Sequence, residues 1–500
     1  NALWGFNSGV GTIDYGWAPV DGNQLLTEAG IGTDDFNSQR LYGARLLSKG
    51  FTIDAELARS ASDGTVEGGE HEFWRGSLRL QHQTGRAQTD LFLGYQDKYF
   101  QWPYLYAVRE LHELVGSSGV ESEDIQTQLY MLNHQREWDN GGSFEASAYY
   151  RKNEDDYEFD VADPGLFNPY QHETEAYGLA VQGTLPLQAE TLRLHLAGTL
   201  LADAIESTSL TAGAFHSRTY TKLAAAPGWT LPGPGDWSTG LLAGLTYDDS
   251  NRDAAEWSPL ARIAFSRSES ERAAQLYAEY SAASQLAGYT AIGSSPSGGL
   301  FRGNQSLSRE VSRNIEVGAS ARQDRLSGQI AVFFRQDDDL VDWVFDPSGS
   351  SFASRAARNV DIDTTGVELL GSWAGEWLET TVSYTHLHKD EDYGADSEGL
   401  SSFYALNYPE HRATAAFIYR PVDALELRLD NEYRVQEDNP LRTDGDTAFL
   451  SHLGIFWELP ALDDAWLQLD INNLWNTQFQ EVPGVPGAAR EITLRAGLRF

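Results

Sequence analysis

Apolar and polar side chains alternate strictly at every second residue in run after run of this chain, which restricts its fold more than any other feature of the sequence. In the last ten residues, Ile492, Leu494, Ala496, Leu498 and Phe500 share one face, while Glu491, Thr493, Arg495, Gly497 and Arg499 share the other. Leu425, Leu427, Leu429, Asn431, Tyr433 and Val435 repeat the pattern against Glu426, Arg428, Asp430, Glu432 and Arg434. So do Leu467/Leu469/Ile471, Leu192/Leu194/Leu196, Trp74/Leu78/Leu80 and Ile330/Val332/Phe334. Successive Cβ atoms of an extended chain point to opposite faces, so a period of two means strand. No comparable stretch has helical period, and no run of about 18 apolar residues exists that could cross a bilayer as a helix.

Short turn signals separate the runs: 48–50, 84–86, 138–142, 186–189, 232–236, 268–271, 324–325, 374–376, 421–423 and 460–464. Gly, Pro, Asp and Asn dominate them, because tight reversals need a positive or preset φ. Between the turns lie longer polar, aromatic and acidic connections, among them 98–123, 153–171, 284–310, 337–359 and 389–402, with shorter ones at 32–37 and 248–256. Ten turns alternating with eleven loops predict twenty-two antiparallel strands, turns at one rim and loops at the other. That asymmetry points to an all-β fold, a transmembrane antiparallel β-barrel with short periplasmic turns and long extracellular loops. A soluble sandwich or propeller would have to bury the face crowded with Arg and Glu in a small core, whereas a wide wet lumen tolerates it. Tyr95, Tyr150, Trp373, Tyr384, Tyr419 and Trp457, near strand ends, suit interfacial girdles.

Charge and composition narrow the function. Lys and Arg number 36 against 73 Asp and Glu, a formal charge of −37 that repels nucleic-acid backbones. The chain has no Cys, which excludes disulfides and thiolate metal sites. It opens on Asn1 with neither an initiator Met nor a signal-type segment and reads as a processed or partial product. No Gly-x-Ser-x-Gly, phosphate loop, His-Glu-x-x-His or Cys/His spacing occurs, and His82, His134, His195 and His452 stand singly in strands, so no enzyme is expected.

Three segments carry a family resemblance. The stretch 475–486, Trp-Asn-Thr-Gln-Phe-Gln-Glu-Val-Pro-Gly-Val-Pro, with Arg490 and the strand closing on Phe500, resembles the last hairpin of TonB-dependent outer-membrane receptors. Residues 307–318, Leu-Ser-Arg-Glu-Val-Ser-Arg-Asn-Ile-Glu-Val-Gly, resemble that family's loop-to-strand passage, and Tyr408-Pro409-Glu410-His411-Arg412-Ala413 its strand opening late in the barrel. The likeness spreads over most of residues 23–500, and a lumen of this width needs a plug against leakage. Gly-rich residues 1–22, with Leu3-Trp4-Gly5-Phe6 to Tyr15, look like the last strand of such a plug or, alternatively, a flexible tail. On this reading the rest of a plug and the segment recruiting the energising partner are expected either to lie upstream and be removed or to be supplied by another chain. The resemblance implies a Gram-negative outer-membrane location, contact with outer-membrane lipid, coupling to an inner-membrane energising complex, and import of a scarce chelate such as cobalamin or a ferric siderophore. A passive channel or a surface adhesion barrel without a plug is the alternative.

Candidate binding residues lie in the expected loops. Tyr99, Phe100, Trp102, Tyr104 and Tyr106 put five aromatics into eight positions, which either grip a flat apolar ligand or fold on one another. Phe301 and Arg302 are further candidates. The acidic runs 154–156, 337–339 and 390–392 are expected just outside the strands on the loop side, where Asp155, Asp156, Asp337, Asp338 and Asp339 could bind Ca²⁺ or simply be solvated. His386 and His388 flank Leu387 on one strand face, a position from which metal ligation is geometrically open.

Overall fold

The computed structural model describes residues 12, 16–188, 191–213, 215–269, 271–348, 354–394, 399–462 and 464–500. Of the expected plug remnant, residues 1–11 and 13–15 lie outside the described residues. Twenty-two long strands, from Gln24–Gly32 to Glu491–Arg499, pair antiparallel with their neighbours around the molecule. The ring closes where the first strand meets the last, Leu26 opposite Arg499 and Gly32 opposite Thr493, with Leu25 and Phe500 exchanging both backbone hydrogen bonds at 2.9 and 2.8 Å. Closure removes every free edge, which an extended sheet in lipid requires.

The alternation read from the sequence is an inside-out one. Ile330, Val332 and Phe334 are 44, 51 and 42% exposed, and Leu494, Leu498 and Phe500 are 41% exposed or more, all on the outer wall. Their polar neighbours face the lumen, where charges pair across strands: Arg40 with Glu28 and Glu56, Arg79 with Asp54 and Asp90, Arg218 with Asp203. An apolar surface turned outward around a charged interior is stable only with lipid as the outer solvent. Aromatic rings edge this wall at two levels. Tyr130, Tyr150 and Tyr177 form a cross-strand ladder with centroids 6.0 and 4.9 Å apart towards the loop rim, and Trp373, Tyr419 and Trp457 lie towards the turn rim.

Two arginine substitutions test this assignment of faces. Val332→Arg is expected to destabilise the folded barrel by about 2–4 kcal/mol in bilayers, the cost of a charge facing lipid near the midplane. Ser320→Arg, opposite Gln275 on the lumen side, is expected to stay within about 0.5 kcal/mol. Equal costs in reversible unfolding from vesicles would contradict the assignment.

Loop boundaries differ from the sequence reading in an informative way. The strands Ala87–Pro103 and Val120–Glu137 run past the expected boundary, so Tyr99, Phe100 and Trp102 are strand residues. Ser143–Glu158 contains Glu154, Asp155 and Asp156, Leu326–Phe345 contains Asp337, Asp338 and Asp339, and Leu378–Asp392 contains the third acidic run. These strands continue beyond the lipid, where no apolar face marks them in the sequence. Pro186 and Pro421 likewise sit inside strand ends, each at a register shift that tolerates the missing N–H. Among the described residues, three buried apolar clusters lie among the strand ends and loops at one rim: around Ile292 and Leu307, around Phe345 and Phe403, and around Val360 and Ile362.

Candidate functional site

Strand parity divides the predicted aromatic run. Register is continuous from Ala87 to Pro103, so Phe100 and Trp102 face the lumen opposite Glu123 and Glu121, whereas Tyr99 faces outward opposite Asp124. Trp102 Nε1 donates to the Pro486 carbonyl at 3.0 Å and ties this strand end to the last loop. Tyr104 has a positive φ of 58°, lies edge-on to His112 and receives the Arg109 guanidinium 5.0 Å above its ring. It starts the 104–119 loop, which carries the short helix Arg109–Val115.

That loop is anchored on one carboxylate. Glu121, fully buried, accepts hydrogen bonds from the Tyr106 N–H (3.1 Å), the Ala107 N–H (2.9 Å) and the Tyr157 hydroxyl (2.5 Å), with His112 Nε2 at 3.0 Å. The Tyr106 hydroxyl donates to Glu123 at 2.5 Å, and burial beside that carboxylate pushes the phenol far above its ordinary range. A second tether is Asp160, which accepts from the Ser118 N–H and hydroxyl and from the Ala162 N–H. Burial acts to raise its pKa, but these hydrogen bonds outweigh it and hold the carboxyl below its usual value. A depressed carboxylate stabilises the fold above the unfolded pKa of about 3.9 and loses that contribution as pH falls through the folded value. The loop protection that Asp160→Asn removes is therefore expected to be constant from pH 7 to about 4 and to shrink below it, as read by hydrogen exchange.

Arg355 completes the mouth. Only 2% exposed, it places its guanidinium 3.4 Å from the Phe403 ring centre and 4.9 Å from that of Phe301. Nη2 donates to the Tyr106 carbonyl at 2.8 Å and Nη1 to the Tyr404 hydroxyl at 3.3 Å, while Nε has no hydrogen-bond partner among the described residues. Phe301 packs edge-on against Trp343 and Tyr106, and Phe301–Arg302 form a two-residue parallel bridge with Arg355–Ala356. Tyr106 and Phe301, far apart in the chain, thus meet in one cluster, and Arg302 points to solvent. Sequence reading missed Arg355, Glu121, Phe403 and Tyr404. The only local sign was Arg355 standing in an Ala-rich strand start.

The expected calcium ligands do not converge. Asp155 and Asp156 are consecutive strand residues on opposite faces. Asp337 faces inward to Arg335 at 2.6 Å and to Ser312, while Asp338 faces outward to Arg313. Asp339 sits at a register shift with φ of 57°.

A closed ring of twenty-two antiparallel strands, lipid-facing outside and lined with paired charges inside, defines a wide outer-membrane barrel. Residues 2–474 match the family described as TonB dependent receptor-like, beta-barrel, and the chain belongs to that family. Its place is therefore the Gram-negative outer membrane. Solved structures with the same fold include the siderophore receptor PirA from Acinetobacter baumannii (13% identity, TM-score 0.74, covering 97% of this chain and 81% of that one). They also include the ferripyoverdine receptor of Pseudomonas aeruginosa (13%, 0.72, 97% and 72%) and the copper transporter OprC (13%, 0.72, 96% and 80%). No curated relative matches by sequence.

Proposed function

We propose that the protein is the barrel of an energised importer that takes a small metal chelate of siderophore or cobalamin type from the cell exterior. The observation that carries this reading is the built mouth within a family barrel: a buried Arg355, without an ion pair among the described residues, ringed by Phe301, Phe403, Tyr404 and Tyr106. The accessible rings of Phe301 and Tyr404, held in place by the buried Arg355, suit a flat chelate. The chain's large negative charge disfavours highly anionic complexes and favours a ligand of low net charge. Trp102, Tyr104, Phe100 and Arg302 form the periphery of this site, and Tyr99 is outside it. The family match disfavours a passive channel or an adhesion barrel.

Residues 17–20 support the reading of the first 22 residues as the tail of a plug. They lie along the lumen wall, with Trp17 and Ala18 carbonyls accepting from Gln88 and Arg79 at 2.9 Å and the Val20 N–H donating to Gln81 at 3.0 Å. An inner-membrane energising partner is proposed to act through that plug.

The test uses the full-length receptor as isolated from its own membrane. A neutral ferric chelate or cobalamin is expected to bind at least about tenfold more tightly than a trianionic ferric complex, a gap of about 1.4 kcal/mol. Phe301→Ala and Tyr404→Ala are each expected to weaken binding by about tenfold, as for well-packed aromatic contacts. Preference for the trianion, or affinities unchanged in both variants, would overturn the proposal. Steady conductance of the intact protein in planar bilayers would restore the passive-channel reading.

A further inference from the structure

On the outer wall, two neighbouring strands bring together groups that the sequence keeps 24 residues apart. His386 of Leu378–Asp392 and His411 of Pro409–Val422 are direct cross-strand partners, with ring centroids 4.6 Å apart and planes inclined by 16°. Regular alternation would send Glu410 to the opposite face. A register shift between Pro409 and His411 instead inserts Glu410 as an extra residue, and such a bulge re-aims a side chain. Its carboxylate comes to 3.9 Å from His411 Nε2, and one ligand atom from each of His386, Glu410 and His411 lies within 4.8 Å of the others.

The orientation of the rings is the second observation. His386 Nδ1 lies 3.1 Å from the Glu410 carbonyl oxygen, which can only accept, so Nδ1 carries the proton and Nε2 presents a lone pair. His411 Nδ1 lies 2.9 Å from the Tyr384 hydroxyl. With the far ring nitrogen engaged by an outer partner, each imidazole is fixed in the way that metal-ligating histidines are. His411 and Glu410 are 41 and 39% exposed, so an ion can enter without opening the barrel.

We propose that His386, Glu410 and His411 form a site for a divalent ion of the Zn²⁺ class on the outside of the barrel, at its extracellular rim. Two imidazoles and a carboxylate match the nitrogen and oxygen preference of Zn²⁺ and leave a fourth position open. Ligands about 2.0–2.2 Å from a tetrahedral ion stand roughly 3.3–3.6 Å apart, so small side-chain rotations close the set. The two strands are the stems of the loop that carries Phe403 and Tyr404. A bound ion cross-links those stems and stiffens one wall of the mouth.

Zn²⁺ binding to the purified intact protein in detergent tests this, with Co²⁺ as the spectroscopic stand-in. Wild type is expected to bind one equivalent and to give the visible absorption of tetrahedral Co²⁺. His386→Ala and His411→Ala are expected to lose that equivalent, and Glu410→Gln to weaken it at least tenfold, while His388→Ala keeps it. Heat-modifiable migration reports whether each variant folds. Independently of the variants, Zn²⁺ is expected to protect His386 and His411 of wild type from diethyl pyrocarbonate. No stoichiometric binding by wild type, or binding retained by both the His386→Ala and the His411→Ala variant, would overturn the site.

Discussion

Replacing Glu121 with alanine is expected to free the 104–119 loop from the barrel wall while leaving the strands in place. The carboxylate uses both oxygens twice, for two consecutive backbone N–H groups, a tyrosine hydroxyl and an imidazole, all in a position without solvent. Removing the acceptor leaves these donors buried without partners. Breaking a buried charged network in this way costs about 3–5 kcal/mol. At 1.4 kcal/mol per tenfold, amide exchange in the loop should rise by at least about a hundredfold. Glu121→Gln keeps the shape but turns an NH₂ towards existing donors, so it should release the loop as well. Glu123→Gln should do so far less, because Glu123 serves only the Tyr106 hydroxyl on this loop. Unchanged loop protection in Glu121→Ala would show that packing, and not this carboxylate, holds the segment.

Arg355→Met is expected to have the second largest effect. The guanidinium joins three chain segments: the Tyr106 carbonyl, the Phe301 ring, and the Phe403–Tyr404 pair. Desolvated cation–π contacts contribute about 2 kcal/mol and a charge-assisted hydrogen bond about 1.5–3 kcal/mol, against the desolvation cost of a buried cation. Methionine fills much of the volume but makes no hydrogen bond to the Tyr106 carbonyl. Limited proteolysis is expected to cut near 301–302 and 403–404 at least tenfold faster, with unchanged heat-modifiable migration of the barrel. Ligand affinity should fall by more than in Phe301→Ala or Tyr404→Ala, since Arg355 supports both residues. If cleavage and affinity stay at wild-type values, Arg355 does not organise the mouth.

The strand count was readable in advance, and with it the approximate place of most turns, because lipid imposes its own code. Wherever the outer wall meets hydrocarbon, every second residue must be apolar, as at Ile330, Val332 and Phe334. Above the lipid both faces are polar and the code stops, although the backbone ladder continues. Lys98 therefore looked like the start of a loop, whereas pairing carries that strand on to Pro103 opposite Val120. The same loss of signal placed Asp155–Asp156 and Asp337–Asp339 in loops, when strand parity in fact sets neighbouring carboxylates on opposite faces.

The mouth was half legible. Trp102, Tyr106 and Phe301 were visible as aromatics in the right region, because composition is local. Beyond the Ala-rich strand start at Arg355, nothing local marks that residue as their common support, or Glu121 as the anchor of the loop that holds Tyr106. The sequence by itself determined that the chain closes a large membrane barrel with loops gathered at one rim, since periodicity and turn chemistry act over a few residues. Only the tertiary structure decided which distant side chains meet: Tyr106 with Arg355 across 249 positions, Trp102 with Pro486 across 384, His386 with His411 and the displaced Glu410. Register between strands and the folding of loops over the lumen set those meetings, and neither is written in the alternation of any single strand.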